Sequence, residues 1–114
     1  MKSICFDIDG VICKTNKNNY KQSKPIKKNI LLINKLYDKG YKIKIFTARY
    51  MGRYNDNYKK AYARGYKSTF RQLKKWNLKF HILYMGKPSF DILIDDKAIN
   101  FNKNWGKNLI KKIQ

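Results

Sequence analysis

The sequence predicts an α/β domain with a central parallel sheet between helical layers. Three observations predict it. Short apolar runs recur along the chain, stretches with helical spacing separate them, and polar or acidic residues directly follow each run. At 114 residues the chain has the length of one domain, 1–114, with no internal repeat and no composition break.

The first run, SICFDI at 3–8, reads as a buried parallel strand with Asp7 and Asp9 at its carboxyl end. Gly10 then permits a sharp turn. Residues 13–24 are polar and read as a loop or small flap. Pro25 suits a first helical position, and Ile26, Ile30, Ile33 and Tyr37 follow at helical spacing before Gly40, so a helix is predicted over 25–39. KIKIFT at 42–47 reads as the second strand, ending at Thr47. Residues 48–64 show no clean apolar face and read as a loop with a helical turn near 58–63. Phe70, Leu73 and Trp76 predict a helix over 66–77. FHILYM at 80–85 reads as a third strand, and FDILI at 90–94 as a fourth, ending at Asp95-Asp96. The tail from 98 is predicted to be partly helical, around Ile99, Trp105, Leu109, Ile110 and Ile113.

Charge narrows the function classes. Lys and Arg number 27 and Asp and Glu 7, a net charge of +20 and a pI near 10.1. Of the basic residues 23 are Lys, and there are 12 Asn, a usage that suits an AT-rich genome. The same surface also attracts polyanions, whether nucleic acid or anionic glycans. No apolar run approaches the roughly 18 residues of a membrane span. The start does not read as a secretory signal, and Cys5 and Cys13 form no disulfide framework, so a cytoplasmic location is expected.

The acids are the most informative part of the composition. There is no Glu, yet four of the seven Asp form two tight pairs, Asp7/Asp9 and Asp95/Asp96, each behind an apolar run. In parallel sheets the site lies at the carboxyl ends of the strands. Asp7, Asp9, Thr47, Lys87, Asp95 and Asp96 are therefore expected to converge on one rim. Carboxylates with a backbone carbonyl make an oxygen-only site suited to Mg²⁺. A carboxylate there can attack phosphorus and form an aspartyl-phosphate. Asp7 is the candidate nucleophile, Asp9 the candidate proton donor and acceptor, Lys87 a compact positive charge and Thr47 a hydroxyl. His81, alone in an apolar run, reads as structural, and the Phe70/Leu73/Trp76 stripe as core.

These residues also carry a family resemblance. FDIDGVI at 6–12 resembles the first motif of the haloacid dehalogenase (HAD) superfamily of phosphohydrolases, D-x-D-G-V/T. IFT at 45–47, Lys87 and ILIDD at 92–96 resemble its second, third and fourth motifs, in the same order. TAR at 47–49, GKPSFDILIDDKAI at 86–99 and the short length resemble its small capsule-biosynthesis phosphatases. The resemblance implies a three-layer Rossmann-like fold and a Mg²⁺-dependent phosphatase. In it Asp7 is nucleophile and metal ligand, Asp9 general acid/base and metal ligand, and Thr47 and Lys87 the phosphate-binding pair. Asp95 and Asp96 complete the metal site, with Asp96 favoured as direct ligand. The backbone after Asp7, at Gly10, and the Ala48–Arg49 pair are expected to face substrate.

Neither gap between motifs has room for a folded cap, so the domain is expected to be capless and its site open. The expected substrate is a phosphorylated small molecule, a sugar or polyol phosphate of surface-polysaccharide synthesis. A nucleotide or polynucleotide-end phosphatase, and a basic nucleic-acid-binding module on the same fold, are the alternatives. Oligomeric state is left open by the sequence.

Overall fold

The computed structural model describes residues 2–114. Strand β1 (Ser3–Phe6) pairs in parallel with β4 (Lys42–Phe46), which pairs in parallel with β5 (Ile82–Tyr84). The sheet therefore has three strands in the order β1-β4-β5. Ile43 and Ile45 of β4 are fully buried at its centre, in register with Ile4 and Phe6 of β1. The flap forms as a hairpin, β2 (Cys13–Lys14) antiparallel to β3 (Lys24–Pro25), with a short 3₁₀ turn at Tyr20–Gln22.

Helix α1 (Lys27–Asp38) buries Asn29, Ile30, Ile33 and Leu36. It starts two residues later than the sequence predicts, because Pro25 is taken by the flap strand. Its end is as expected. Gly40 has φ +98°, its N–H donates to the Tyr37 carbonyl, and that of Tyr41 donates to the Leu36 carbonyl. Helix α2 (Tyr58–Lys75) is one long helix where the sequence predicts a loop followed by a shorter one. The side chain of Asn57 caps it by accepting the Lys60 N–H at 3.1 Å. Its buried positions are Ala61, Gly65, Thr69 and Leu73, a helical series in which only Leu73 is strongly apolar. Helix α3 (Trp105–Ile113) buries Leu109 and sets Trp105 edge-on to Phe6.

The predicted fourth strand does not form. Phe90–Ile94 is exposed, Ile92 by 81% and Ile94 by 95%. The physical reason is the length of the link. Only residues 85–89 separate β5 from Phe90, and a parallel neighbour needs a crossover of about a dozen residues or more. One core joins the sheet to all three helices through Phe6, Ile8, Ile33, Ile45, Leu73, Leu83 and Leu109. A second cluster, Tyr50, Met51, Ala61 and Met85, packs with Tyr20, Tyr54 and Tyr66. His81 is structural, as expected. Its Nδ1 accepts the Ile43 N–H at 3.0 Å, and its ring stacks on Tyr37.

Candidate active site

The chain turns sharply where β1 ends. The Ile8 carbonyl accepts N–H groups from Val11, Ile12 and Cys13, and Gly10 takes φ +89°, which favours glycine. This turn leaves Asp7 and Asp9 on one cleft of about 330 Å³. The cleft is lined by Asp7, Asp9, Ala48, Arg49 and Lys87, by the flap residues Lys17, Asn18 and Tyr20, and by Gly52, Arg53 and Pro88–Phe90. A larger hollow, about 1230 Å³, lies against α3 between Leu32, Phe101 and Trp105; it has no carboxylate, thiol or imidazole in its wall. Asp7, Asp9 and Lys87 gather on the smaller cleft.

Asp7 is held from two sides. The Ile8 N–H donates to Oδ1 at 2.8 Å, and the Lys87 ammonium donates to Oδ2 at 3.2 Å across 80 positions of sequence. Lys87 is fixed in turn, because its N–H donates to the Thr47 carbonyl at 3.1 Å. Thus the adjacent ends of β4 and β5 deliver the cation to the end of β1.

Asp9 is clamped by Arg49. Nε of Arg49 donates to both carboxylate oxygens, at 3.2 and 3.0 Å, and Nη2 donates to Oδ1 at 3.0 Å. Nη1 donates to Gln72 Oε1 at 2.6 Å, and the guanidinium lies 4.9 Å from the Tyr20 ring centre. Arg49 is only 2% exposed. Thr15 also donates to Asp9 Oδ1, and Ser23 bonds Thr15. Oδ1 is therefore crowded, while Oδ2 has Arg49 Nε as its one partner among the described residues. Oδ2 is the less crowded of the two oxygens.

Several expectations are corrected. Arg49 faces Asp9 and Gln72, so its donors are spent inside the protein rather than offered to substrate. The Gly10 N–H donates to the Cys13 carbonyl at 2.8 Å, so it does not point at a ligand. Thr47 is fully buried beneath the rim, and its hydroxyl accepts the Arg49 N–H at 3.1 Å. Asp95 and Asp96 do not join Asp7. They sit in the exposed segment that fails to form the fourth strand, where Asp95 Oδ1 accepts the Lys97 N–H.

Sequence reasoning missed Tyr20, Thr15 and Gln72. Gln72 ties α2 to the flap by donating to the Tyr20 carbonyl at 2.8 Å as it accepts from Arg49. Nothing local to residue 72 signals this. Thr15 stood close enough to the first motif to be suspected. Neither cysteine is a nucleophile candidate. Burial pushes the Cys13 thiol above its ordinary range, and burial does the same to Cys5 against the opposing charges of Lys87 and Lys44.

The Asp7 carboxylate and the Asp9 carbonyl are hard oxygen donors of the type Mg²⁺ takes. Yet no three acidic, cysteine or histidine groups gather to hold an ion among the described residues.

Against this geometry the comparisons with known structures are informative. A crystallised target protein from Vibrio cholerae superposes with a TM-score of 0.82 at 25% identity, covering 100% of both chains. The D,D-heptose 1,7-bisphosphate phosphatase of B. bronchiseptica, complexed with magnesium and phosphate, matches with a TM-score of 0.53 at 13% identity. The fold is haloacid dehalogenase-like. That phosphatase match covers 99% of this chain and 64% of the other. A chain of the Pnkp1/Rnl/Hen1 RNA repair complex also matches, with a TM-score of 0.53 at 17% identity, over 97% of this chain and 31% of that one. No family model and no curated protein matches the sequence.

Proposed function

We propose that this protein hydrolyses phosphomonoesters through an aspartyl-phosphate on Asp7. The observation that carries the reading is the pairing of Asp7 with Lys87 on one cleft wall, beside an Asp9 carboxylate immobilised by Arg49. A phosphoryl group entering the cleft meets Lys87, with Lys17 and Arg53 also in the lining. Asp7 attacks phosphorus, the P–O bond to the alcohol breaks, and the departing alkoxide takes a proton from Asp9. Asp9 then takes a proton from water as the water attacks phosphorus. The acyl-phosphate bond breaks, releasing inorganic phosphate and restoring Asp7.

Mg²⁺ is part of this proposal. Asp7, Asp9 and one of Asp95 or Asp96 would hold it. When bound, it would offset charge on the transferring phosphoryl group. The oxygen-only donor set supports this, as does the magnesium complex of a protein with the same fold. The similarity to a heptose bisphosphate phosphatase supports a sugar or polyol phosphate substrate, and through it surface-polysaccharide synthesis, at a site without a folded cap. A polynucleotide end is the second reading, favoured by the basic, aromatic face of α2. The two free thiols fit a reducing cytoplasm, and among the described residues no helix is long and apolar enough to cross a membrane.

The test is hydrolysis of an aryl phosphate by wild type and by Asp7→Asn. The variant keeps the side-chain shape and loses the attacking charge, so turnover should fall at least 1,000-fold, with an unchanged circular dichroism spectrum. Near-normal turnover in the folded variant would remove Asp7 from the role.

A further inference from the structure

We infer that helix α2 is a docking track for single-stranded nucleic acid whose terminal phosphate enters the Asp7–Lys87 cleft. The inference rests on the phosphatase reading only for the place of that phosphate. Tyr58, Tyr62, Tyr66 and Phe70 recur every fourth residue. Their rings form a continuous row, with centroids 6.0, 4.6 and 6.0 Å apart. Tyr58 is 52% and Tyr62 44% exposed, while Tyr66 and Phe70 are half-buried against the core and anchor the row. None of the three tyrosine hydroxyls meets a hydrogen-bond partner among the described residues.

Position and charge point the same way. The Tyr58 ring packs on Gly86, the residue before Lys87, so closely that a Cβ there would collide with it. The row thus begins at the mouth of the cleft and runs about 18 Å along α2, at 1.5 Å per residue. The helix also carries Lys59, Lys60, Arg64, Lys67, Arg71, Lys74 and Lys75, all exposed, and no acid. Helical periodicity sets Lys59, Lys67 and Lys74 along the border of the aromatic row, and Lys74 Nζ lies 5.5 Å from the Phe70 ring centre. The exposed end of the row, Tyr58 and Tyr62, beside a line of cations matches a strand of bases with one phosphate per nucleotide. A monosaccharide phosphate has neither the length nor the repeating charge to use them.

The experiment separates docking from catalysis. Asp7→Asn protein would be titrated into a fluorescein-labelled single-stranded 12-mer with a 3′-phosphate, a 5′-phosphate or neither, followed by anisotropy. Binding should weaken steeply with salt. Changing Lys59, Lys67 and Lys74 to Gln should reduce the log–log salt slope by about 0.7 for each lysine. Tyr62→Ala should weaken binding roughly tenfold, and Tyr62→Phe should restore it, because the ring and not the hydroxyl does the stacking. In the active background, Tyr62→Ala should raise KM for the phosphorylated oligonucleotide and leave aryl phosphate turnover unchanged. Oligonucleotide binding that ignores all these α2 changes overturns the inference. Competition by a sulfated glycan as effective as by unlabelled strand, at matched charge, also overturns it, in favour of a glycan. If wild type hydrolyses no phosphate yet the strand binds through α2, the track stands and the phosphatase reading falls.

Discussion

Arg49→Met isolates the clamp on Asp9. The substitution keeps the length of the stem and removes all five donors. It leaves Asp9 with Thr15 and Cys13 as its side-chain partners, and leaves Gln72 Oε1 without its short bond. Removing one partner of a fully buried ion pair costs about 3–5 kcal/mol. Here the Arg49 side chain is 1% exposed but that of Asp9 is 29% exposed, so water can reach part of the orphaned carboxylate. The expected loss is at the lower end, about 3 kcal/mol. At about 4 °C per kcal/mol for a domain of this size, the melting temperature should drop by about 12 °C. Urea unfolding followed by Trp76 and Trp105 fluorescence gives the free energy directly. Arg49→Lys should recover only part of the loss, because an ammonium cannot make the two-oxygen contact and reach Gln72 together. In Arg49→Met/Asp9→Asn the losses should add to less than their sum, since both remove one interaction. If Arg49→Met unfolds within 1 kcal/mol of wild type, the guanidinium is not what holds the flap, Asp9 and α2 together.

Three further outcomes follow from the same geometry. Gly65→Ala should destabilise by about 1–3 kcal/mol in urea melts, because its Cβ would enter the buried Tyr50 ring; a neutral result would show that Tyr50 is free to move. Phosphatase activity should disappear in EDTA and return with Mg²⁺, and Asp96→Ala should raise the Mg²⁺ requirement more than Asp95→Ala. Full activity in chelator would end the metal proposal, and a larger effect at Asp95 would exchange the two roles. Both cysteines should react slowly with a disulfide reagent at pH 8. A raised thiol pKa leaves little thiolate there, so labelling should climb only at higher pH, with buried Cys13 slower than exposed Cys5; fast labelling of Cys13 at pH 8 would contradict the burial effect.

The readable parts of this protein are those governed by local pattern. SICF, KIKIF and ILY carry apolar content over strand lengths, and Gly40 marks a helix end with a positive φ that only its missing Cβ makes easy. The acids behind β1 and the lysine behind β5 could be assigned to one rim, because parallel strands present their carboxyl ends on the same side. Helix α2 was harder to see. Its inward series of Ala61, Gly65 and Thr69 has little hydropathy, and its aromatic flank of tyrosines looks polar in sequence. Tertiary structure alone settled three matters. The FDILI run lies exposed off the three-stranded sheet despite its strand-like composition, since five residues after β5 are too few for a parallel crossover. Arg49 turns inward because a carboxylate 40 positions earlier and an amide 23 positions later wait for its donors, a coincidence in space with no local signature. Tyr58 meets Gly86 beside Lys87 because the packing of α2 sets that ring on a residue lacking a side chain. Sequence periodicity assigns a residue to a face, and only the packing of distant segments determines what that face meets.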